Sequence, residues 1–313
     1  MMTSTSVITG GTAGIGLQTA TTLAQQGWRV VVTGRDARRG AEAVAEIRRQ
    51  SGHEEVHFAP GDLASASETL ALAADLQRRF PRIDVLINNA GVLADDRRTT
   101  EDGVELHFAV NVVAPYRLTL ALLPSLEAAG SARVVNVTGG APIGGVDLGD
   151  LQAERGYRGL GTYSHSKRAM EAMSLALAPR LAERGVLLNI VHPGGASTPM
   201  TRAMTRSMLP WWMRPLWPLF SRQMTDDGVK SAAKASRSSV WAATTAKLEG
   251  VAGGSFNTKC RPFRLHRTVQ DPQVQQQVLA AVQAAARSGA GSGPSPSESR
   301  HAHAMDTWSG EDR

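Results

Sequence analysis

Two side chains four positions apart carry the clearest chemistry in this sequence, Tyr163 and Lys167 in Tyr163-Ser164-His165-Ser166-Lys167. On a helix that spacing puts them on one face, one turn apart. A free tyrosine has a pKa of about 10 and is a poor base at neutral pH. A neighbouring ammonium favours the phenolate and lowers that pKa. Such a pair can give a proton to a reduced carbonyl oxygen or take one from an alcohol. The second stretch with chemistry in it is Thr9-Gly10-Gly11-Thr12-Ala13-Gly14-Ile15-Gly16. It follows a β-branched run, Thr3 to Ile8, and opens an apolar helical pattern, Leu17 to Ala24. Strand, glycine turn and helix form the setting of a dinucleotide-binding turn. Gly10 allows the tight turn, Gly14 a close approach to the pyrophosphate, and Gly16 close packing of helix on strand. The helix N-terminus offers N–H groups and a positive dipole end to the phosphates. A plain glycine-rich turn would share this composition.

The elements that position these groups alternate between short apolar strands and helices. Trp28 to Thr33 reads as a second strand ending in Gly34-Arg35-Asp36. An acidic residue there would bond the ribose hydroxyls of NAD, whereas the Arg35 guanidinium suits a 2′-phosphate and favours NADP. Asp36 is placed to cap a helix over Ala37 to Gln50. Strands are predicted at Val56 to Ala59, Ile83 to Ile87, Ala132 to Val137 and Val186 to Val191, with a last one at Gly253 to Asn257. Helices are predicted at Ser65 to Phe80, Thr100 to Ala129, Thr162 to Arg184 and Asp226 to Thr245, with Pro115 and Pro124 as kinks or boundaries. This order implies right-handed βαβ crossovers in an α/β, Rossmann-like, doubly wound parallel sheet. Ligands in such sheets sit beyond the carboxyl ends of the strands, where every motif quoted so far falls.

At 313 residues with 42% hydrophobic content, the chain can bury one large core. A net charge of +6 raises the question of nucleic acid. The arginines are dispersed, only five positions are Lys, and no basic run is interleaved with aromatics. A solvated basic surface around an anionic-cofactor pocket therefore accounts for the charge better. The single cysteine, Cys260, excludes a disulfide framework and fits a reducing, cytoplasmic setting. No secretory signal precedes the first strand, and no apolar run is long enough to span a membrane. No metal site is expected.

Taken together, these pieces resemble the short-chain dehydrogenase/reductase family. The matching residues are Thr9-Gly10-x3-Gly14-Ile15-Gly16, Asp62-Leu63, Asn88-Asn89-Ala90-Gly91, Asn111, Tyr163-x3-Lys167 and Pro193-Gly194-x3-Thr198, in family order. Thr100-Glu101-Asp102-Gly103, Asp150-Leu151-Gln152 with Tyr157, and Tyr163-Ser164-His165-Ser166-Lys167 are similar to its retinol-dehydrogenase-like branch. The resemblance implies an NADP(H)-dependent oxidoreductase acting on a lipophilic carbonyl or alcohol, with Tyr163 as general acid/base. It implies that Lys167 also holds the nicotinamide ribose and that Asn111 helps hold a proton-relaying water. It further implies that Asp62 meets the adenine, Asn89 the adenosine side, and Thr198 the carboxamide; Thr12, Leu63, Ala90, Gly91, Pro193 and Gly194 complete the cofactor set. Family members commonly pair through the helix that carries the tyrosine, so a dimer or tetramer is expected. The Ala/Arg-rich composition resembles proteins of high-GC bacteria and would fit secondary metabolism.

One departure stands out. The family places a serine hydroxyl at the end of the fifth strand, where this chain has Asn136-Val137-Thr138-Gly139-Gly140. Alignment from Asn136 puts Gly139 at that position, and alignment back from Tyr163 puts Thr138 there; Thr138 is the expected surrogate. Loss of one such donor can cost roughly 100- to 1000-fold in rate. It also keeps open a non-redox scaffold (cyclase, isomerase or dehydratase) or a ligand-binding role. Beyond Thr198, residues 199–225 are rich in Trp and Pro and read as an apolar lid over a bulky ligand; an oligomer contact, packing onto the body of the protein and shallow membrane contact are the alternatives. The dehydrogenase domain is expected over 1–270, a C-terminal helix over 271–287 (core Pro272 to Ala286), and a disordered tail over 288–313 in which His301 and His303 are solvated. His165 and His192 are expected to be structural, and Cys260 an inert thiol.

Overall fold

The computed structural model of the chain describes residues 3–139, 144–209, 214–218, 221 and 228–288. Seven parallel strands form one sheet in the order β3-β2-β1-β4-β5-β6-β7. They are β1 (Thr5–Thr9), β2 (Arg29–Gly34), β3 (Val56–Pro60), β4 (Val85–Asn88), β5 (Ala132–Val137), β6 (Val186–Val191) and β7 (Ser255–Phe256). The helices between them include α1 (Gly14–Gln25), α2 (Ala37–Ser51) and α3 (Ala66–Arg79). The order reverses between β1 and β4, and at such a switch point a crevice opens beyond the strand ends.

Successive strand residues face opposite sides, and two apolar layers result. Val7, Val31, Leu86, Val134 and Leu188 join one layer, and Ile8, Val30, Val32, Ile87, Val135 and Val191 the other. The second layer is closed by Leu23 of α1 and Ile47 of α2, and by Val240 of α9 (Gly228–Thr244), numbered after the helices given below. Local signals fix the ends of α2: the Asp36 carboxylate caps it, accepting from the Arg39 N–H at 3.0 Å, and Gly52 at φ +69° stops it.

The predicted helix Thr100 to Ala129 is corrected. Residues 100–105 form a turn that closes as Gly103 takes φ +76°. Helix starts only at α4 (Leu106–Phe108), where the Glu105 carboxylate caps the Phe108 N–H at 2.8 Å. A π-helical turn, Ala109–Val113, follows, then α5 (Ala114–Ala121) and α6 (Leu123–Glu127), with Pro115 and Pro124 at their first turns. The tyrosine helix α7 (Gly159–Ala182) begins three residues before its predicted start. A short α8 (Pro199–Arg202) follows β6.

The C-terminal helix α10 (Pro272–Ser288) packs against α7, α5 and the π-helical turn. Its Val278, Leu279, Val282 and Ala286 join the same apolar cluster as Met170, Met173 and Leu177 of α7. This face of α7 is therefore occupied by the chain's own C-terminal helix. Residues 289–313, with His301 and His303, lie outside the described residues, as do Gly140, Asp226 and part of the expected lid. Among the described residues, no helix is long and apolar enough to cross a membrane.

Candidate active site

The glycine turn has the geometry its residues predict. Gly10 and Gly14 take φ +63° and +55°. A Cβ on Gly16 would stand 2.4 Å from the Gly10 carbonyl oxygen, so any side chain would push α1 off the strand end. Helix α1 opens without a side-chain cap and with no acidic residue in its first turn, leaving its N–H groups facing the crevice for an anion. The Asn89 side chain is engaged with the turn itself. Its amide donates to the Thr9 carbonyl at 2.9 Å and the Gly10 carbonyl at 3.3 Å, so it holds the turn. Thr9 reciprocates, its hydroxyl accepting from the Asn89 and Ala90 N–H groups at 3.0 Å each.

Other cofactor candidates gather at the same strand ends. Arg35 is exposed, with its guanidinium 3.6 Å from the Asp62 carboxylate, so the pair spans the ends of β2 and β3. Asp62 also accepts from the Ala64 N–H at 2.9 Å, and Leu63 is buried behind it. A methyl built on Gly34 would touch Thr12 at 3.1 Å, so this glycine lets the turn lie against β2. A Cβ on Gly91 would lie 3.3 Å from Asn111 Oδ1 and 3.4 Å from Lys167 Nζ. After β6, Pro193 leads to Gly194 at φ +69° and then to Thr198, which caps α8. Thr198 meets the glycine turn, 3.2 Å from where a Gly14 side chain would begin. Uncapped helix start, close-approach glycines and an exposed guanidinium at one crevice fit a phosphate-bearing dinucleotide.

Tyr163 and Lys167 are both buried, with the ammonium 6.0 Å from the phenol ring centre and donating to the Val137 carbonyl at 3.1 Å. Burial pushes Tyr163 up to about 12 and pushes Lys167 down to about 8, because both groups lose solvent that would favour their charged forms. Asn111 sits in the π-helical turn. Its amide donates to Val92 O at 3.2 Å and Ser166 Oγ at 2.9 Å, and its Oδ1 accepts from Val92 N–H at 2.9 Å. Both of its side-chain N–H donors thus pin protein groups.

Thr138 is not placed as the surrogate hydroxyl. It is buried, and its hydroxyl donates to Glu171 Oε1 at 2.6 Å. The residue facing the phenol is Gly139, at φ +142°, where a Cβ would stand 3.9 Å from the Tyr163 hydroxyl. The histidines near the site are backbone acceptors: His165 takes the Asp147 N–H at 2.9 Å and His192 the Gly194 N–H at 3.0 Å. Burial raises the Cys260 thiol pKa and disfavours its reactive thiolate.

The chain matches the short chain dehydrogenase family over residues 4–208. It belongs to that family. Its relatives place it in the retinol-dehydrogenase-like branch: it is 36% identical to the mouse (Mus musculus) polyprenol dehydrogenase over 286 residues, 88% of this chain and 81% of that one. It is 36% identical to human (Homo sapiens) retinol dehydrogenase 12 over 252 residues, covering 80% and 76% of the two chains. Among solved structures, an uncharacterised protein from Mycobacterium paratuberculosis superposes with a TM-score of 0.69 at 25% identity, covering 91% of this chain and 93% of that one. A Pseudomonas aeruginosa RhlG/NADP active-site complex superposes with a TM-score of 0.60 at 26% identity, covering 81% and 94%.

In this dehydrogenase, several residues that sequence reasoning passed over shape the site. Ala94, on the loop after β4, is held at both backbone groups: its N–H donates to His107 Nε2 at 3.1 Å, and its carbonyl accepts from the Tyr157 hydroxyl at 2.9 Å. His107 is wholly buried, paired through Nδ1 to Glu105 Oε1 at 2.9 Å, and its ring meets Tyr163 edge-on at 6.3 Å. The stretch Glu105-Leu106-His107 was the available signal. Leu93, Met200, Met204 and Trp217 pack around buried Leu160, Tyr163 and Leu209. Asp95 ties the cover to the Ala94 loop, accepting from the hydroxyls of Thr205 at 3.0 Å and Ser207 at 2.7 Å. Residues 210–213, 219–220 and 222–225 of the expected lid lie outside the described residues.

Proposed function

We propose that this protein is an NADP(H)-dependent oxidoreductase acting on a lipophilic carbonyl or alcohol, in a reducing compartment such as the cytoplasm. The observation that carries the reading is the wall around Tyr163: leucine, methionine and tryptophan side chains pack around the phenol, as an apolar substrate requires. Arg35, exposed at the end of β2, supports NADP over NAD. The similar P. aeruginosa structure, an NADP complex, agrees with that choice. When bound, the nicotinamide supplies or accepts the hydride. Tyr163 then gives a proton to the substrate oxygen or takes one from it. Reduction is the favoured direction because a phosphate-reading Arg35 would draw on the reducing cofactor pool. Lys167 holds the ribose, Asn111 fixes Ser166 of the tyrosine helix, and the glycine turn holds the pyrophosphate.

The test is a fluorescence titration with NADPH and NADH in parallel, followed by turnover with Tyr163→Phe. Saturation by NADPH at much lower concentration, and loss of turnover by about 100- to 10,000-fold in the variant with binding intact, are expected. NADH preference would remove the Arg35 assignment, and binding of neither would remove the redox reading. Gly139 favours a second reading, non-redox chemistry or ligand binding on the same scaffold, because the position facing Tyr163 carries no hydroxyl. That reading expects a ligand whose binding Tyr163→Phe leaves unchanged.

A further inference from the structure

Helix α7 carries a third ionisable group in the row of the other two. Tyr163, Lys167 and Glu171 follow at four-residue steps, which stacks them along one helix face. Glu171 is 4% exposed. Its Oε1 accepts the Thr138 hydroxyl, while its Oε2 takes no hydrogen bond among the described residues. A buried carboxylate remains ionised only near a cation, and two stand by Glu171: Arg168, 3.9 Å from Oε2, and Lys167, one helical turn back. Lys167 is buried as deeply, and its ammonium donates to the Val137 carbonyl at 3.1 Å. Two adjacent residues at the end of β5 thus hold the two charged groups, Val137 the lysine and Thr138 the glutamate.

We propose that Glu171, fixed by Thr138, is the counter-ion that keeps Lys167 charged and directed toward Tyr163. It is a positioning residue and acts only through Lys167. The proposal gives the Thr138 hydroxyl a purpose other than touching substrate.

Other charged groups face this row. Arg168, on the same helix, has its guanidinium 3.9 Å from Glu171 Oε2. His192 at the end of β6 and His266 beyond β7 feel the Arg168 charge, and burial together with that charge disfavours a proton on either. Asn111, beside Lys167 across Gly91, is neutral. Lys167 is therefore left with Glu171 as the charge opposing its loss of a proton. Burial pushes the Glu171 carboxyl up, and the Thr138 hydrogen bond is the strongest influence holding it down, followed by Arg168 and Lys167.

The charge on Lys167 can be read without cofactor or substrate. The chain has five lysines, so 13Cε-lysine-labelled protein gives few resonances, and Lys167→Arg assigns the one of interest. In an NMR pH titration, Glu171→Gln is expected to lower the Lys167 midpoint by about one unit or more. Thr138→Val lowers it less, and Thr138→Ser restores the native value. A Lys167 midpoint unchanged in Glu171→Gln overturns the proposal; if that variant does not fold, an unchanged midpoint in Thr138→Val does so. The part a charged Lys167 plays beside Tyr163 rests on the oxidoreductase reading, which is checked separately by NADPH oxidation with decanal. The alkaline limb of that activity should move to lower pH in Glu171→Gln. Absence of any turnover by native protein across lipophilic carbonyls would sink the oxidoreductase reading and leave the lysine titration standing.

Discussion

Gly139 faces the Tyr163 hydroxyl, with room for a Cβ 3.9 Å away and no side chain filling it. Its φ of +142° is one that residues with a side chain rarely adopt. Gly139→Ala should therefore cost about 1–3 kcal/mol of stability from backbone strain alone. The same methyl narrows the approach to the phenol. The expected outcome is a lower melting temperature and reduced turnover with NADPH affinity unchanged. An equal melting temperature, measured by calorimetry, would show that the glycine conformation is not required.

Arg35 should separate the two nicotinamide cofactors. A charge-assisted hydrogen bond to a phosphate contributes about 1.5–3 kcal/mol, and exposure of this guanidinium places it at the lower end. Arg35→Ala should weaken NADPH about tenfold, which corresponds to about 1.4 kcal/mol, and leave NADH nearly unchanged. Asp62 is also released from its partner in this variant, so Asp62→Asn serves as the control that removes the pair without removing the guanidinium. Parallel weakening of both cofactors on fluorescence titration would refute phosphate reading by Arg35.

The sheet and the cofactor turn were legible because their signals are local. A parallel strand buried on both sides is a run of apolar residues, and a turn with positive φ needs glycine wherever it falls, as at Gly10 and Gly14. The Thr100 to Ala129 reading failed for a related reason. Its composition is helical, but Gly103 and the Glu105 cap reset the start, and prolines that read as kinks are first-turn residues of new helices. Thr138 could not be resolved because one residue of register decides which of two neighbours faces Tyr163, and that choice depends on Glu171, distant in sequence. The structural partners of Asn89 and Asn111 were hidden for a similar reason. An asparagine side chain can serve ligand or backbone with equal ease, and only the fold shows Thr9, Gly10, Val92 and Ser166 as the partners.

Tyr157 should matter to turnover although it stands behind the site. Its hydroxyl holds the Ala94 carbonyl, and the same loop carries Leu93 against Tyr163 and Asp95 against the cover. Tyr157→Phe leaves that carbonyl short of a donor at a cost of about 1–3 kcal/mol. The ring remains to stack on His107, so the core does not collapse. The expected result is a modest loss of stability with a larger rise in KM for bulky substrates than for short ones. Equal effects on both substrate sizes would mean that the loop does not shape the pocket.

The C-terminal helix makes the last test. Val278, Leu279 and Val282 are buried in the layer that contains Met170, Met173 and Leu177 of the tyrosine helix. Each such side chain contributes about 1.5–3 kcal/mol when buried. Arg117, buried in α5, donates to the Ala286 carbonyl at 3.0 Å and would lose that acceptor. Truncation after Val269 should therefore destabilise the chain by several kcal/mol and expose an apolar face along α7. An exposed face of that kind is a surface for association. The truncated chain should then self-associate at concentrations where the intact one does not, as measured by light scattering on a sizing column. If the two chains show the same oligomeric state and the same melting temperature, the helix is dispensable and the face beneath it is not what governs assembly.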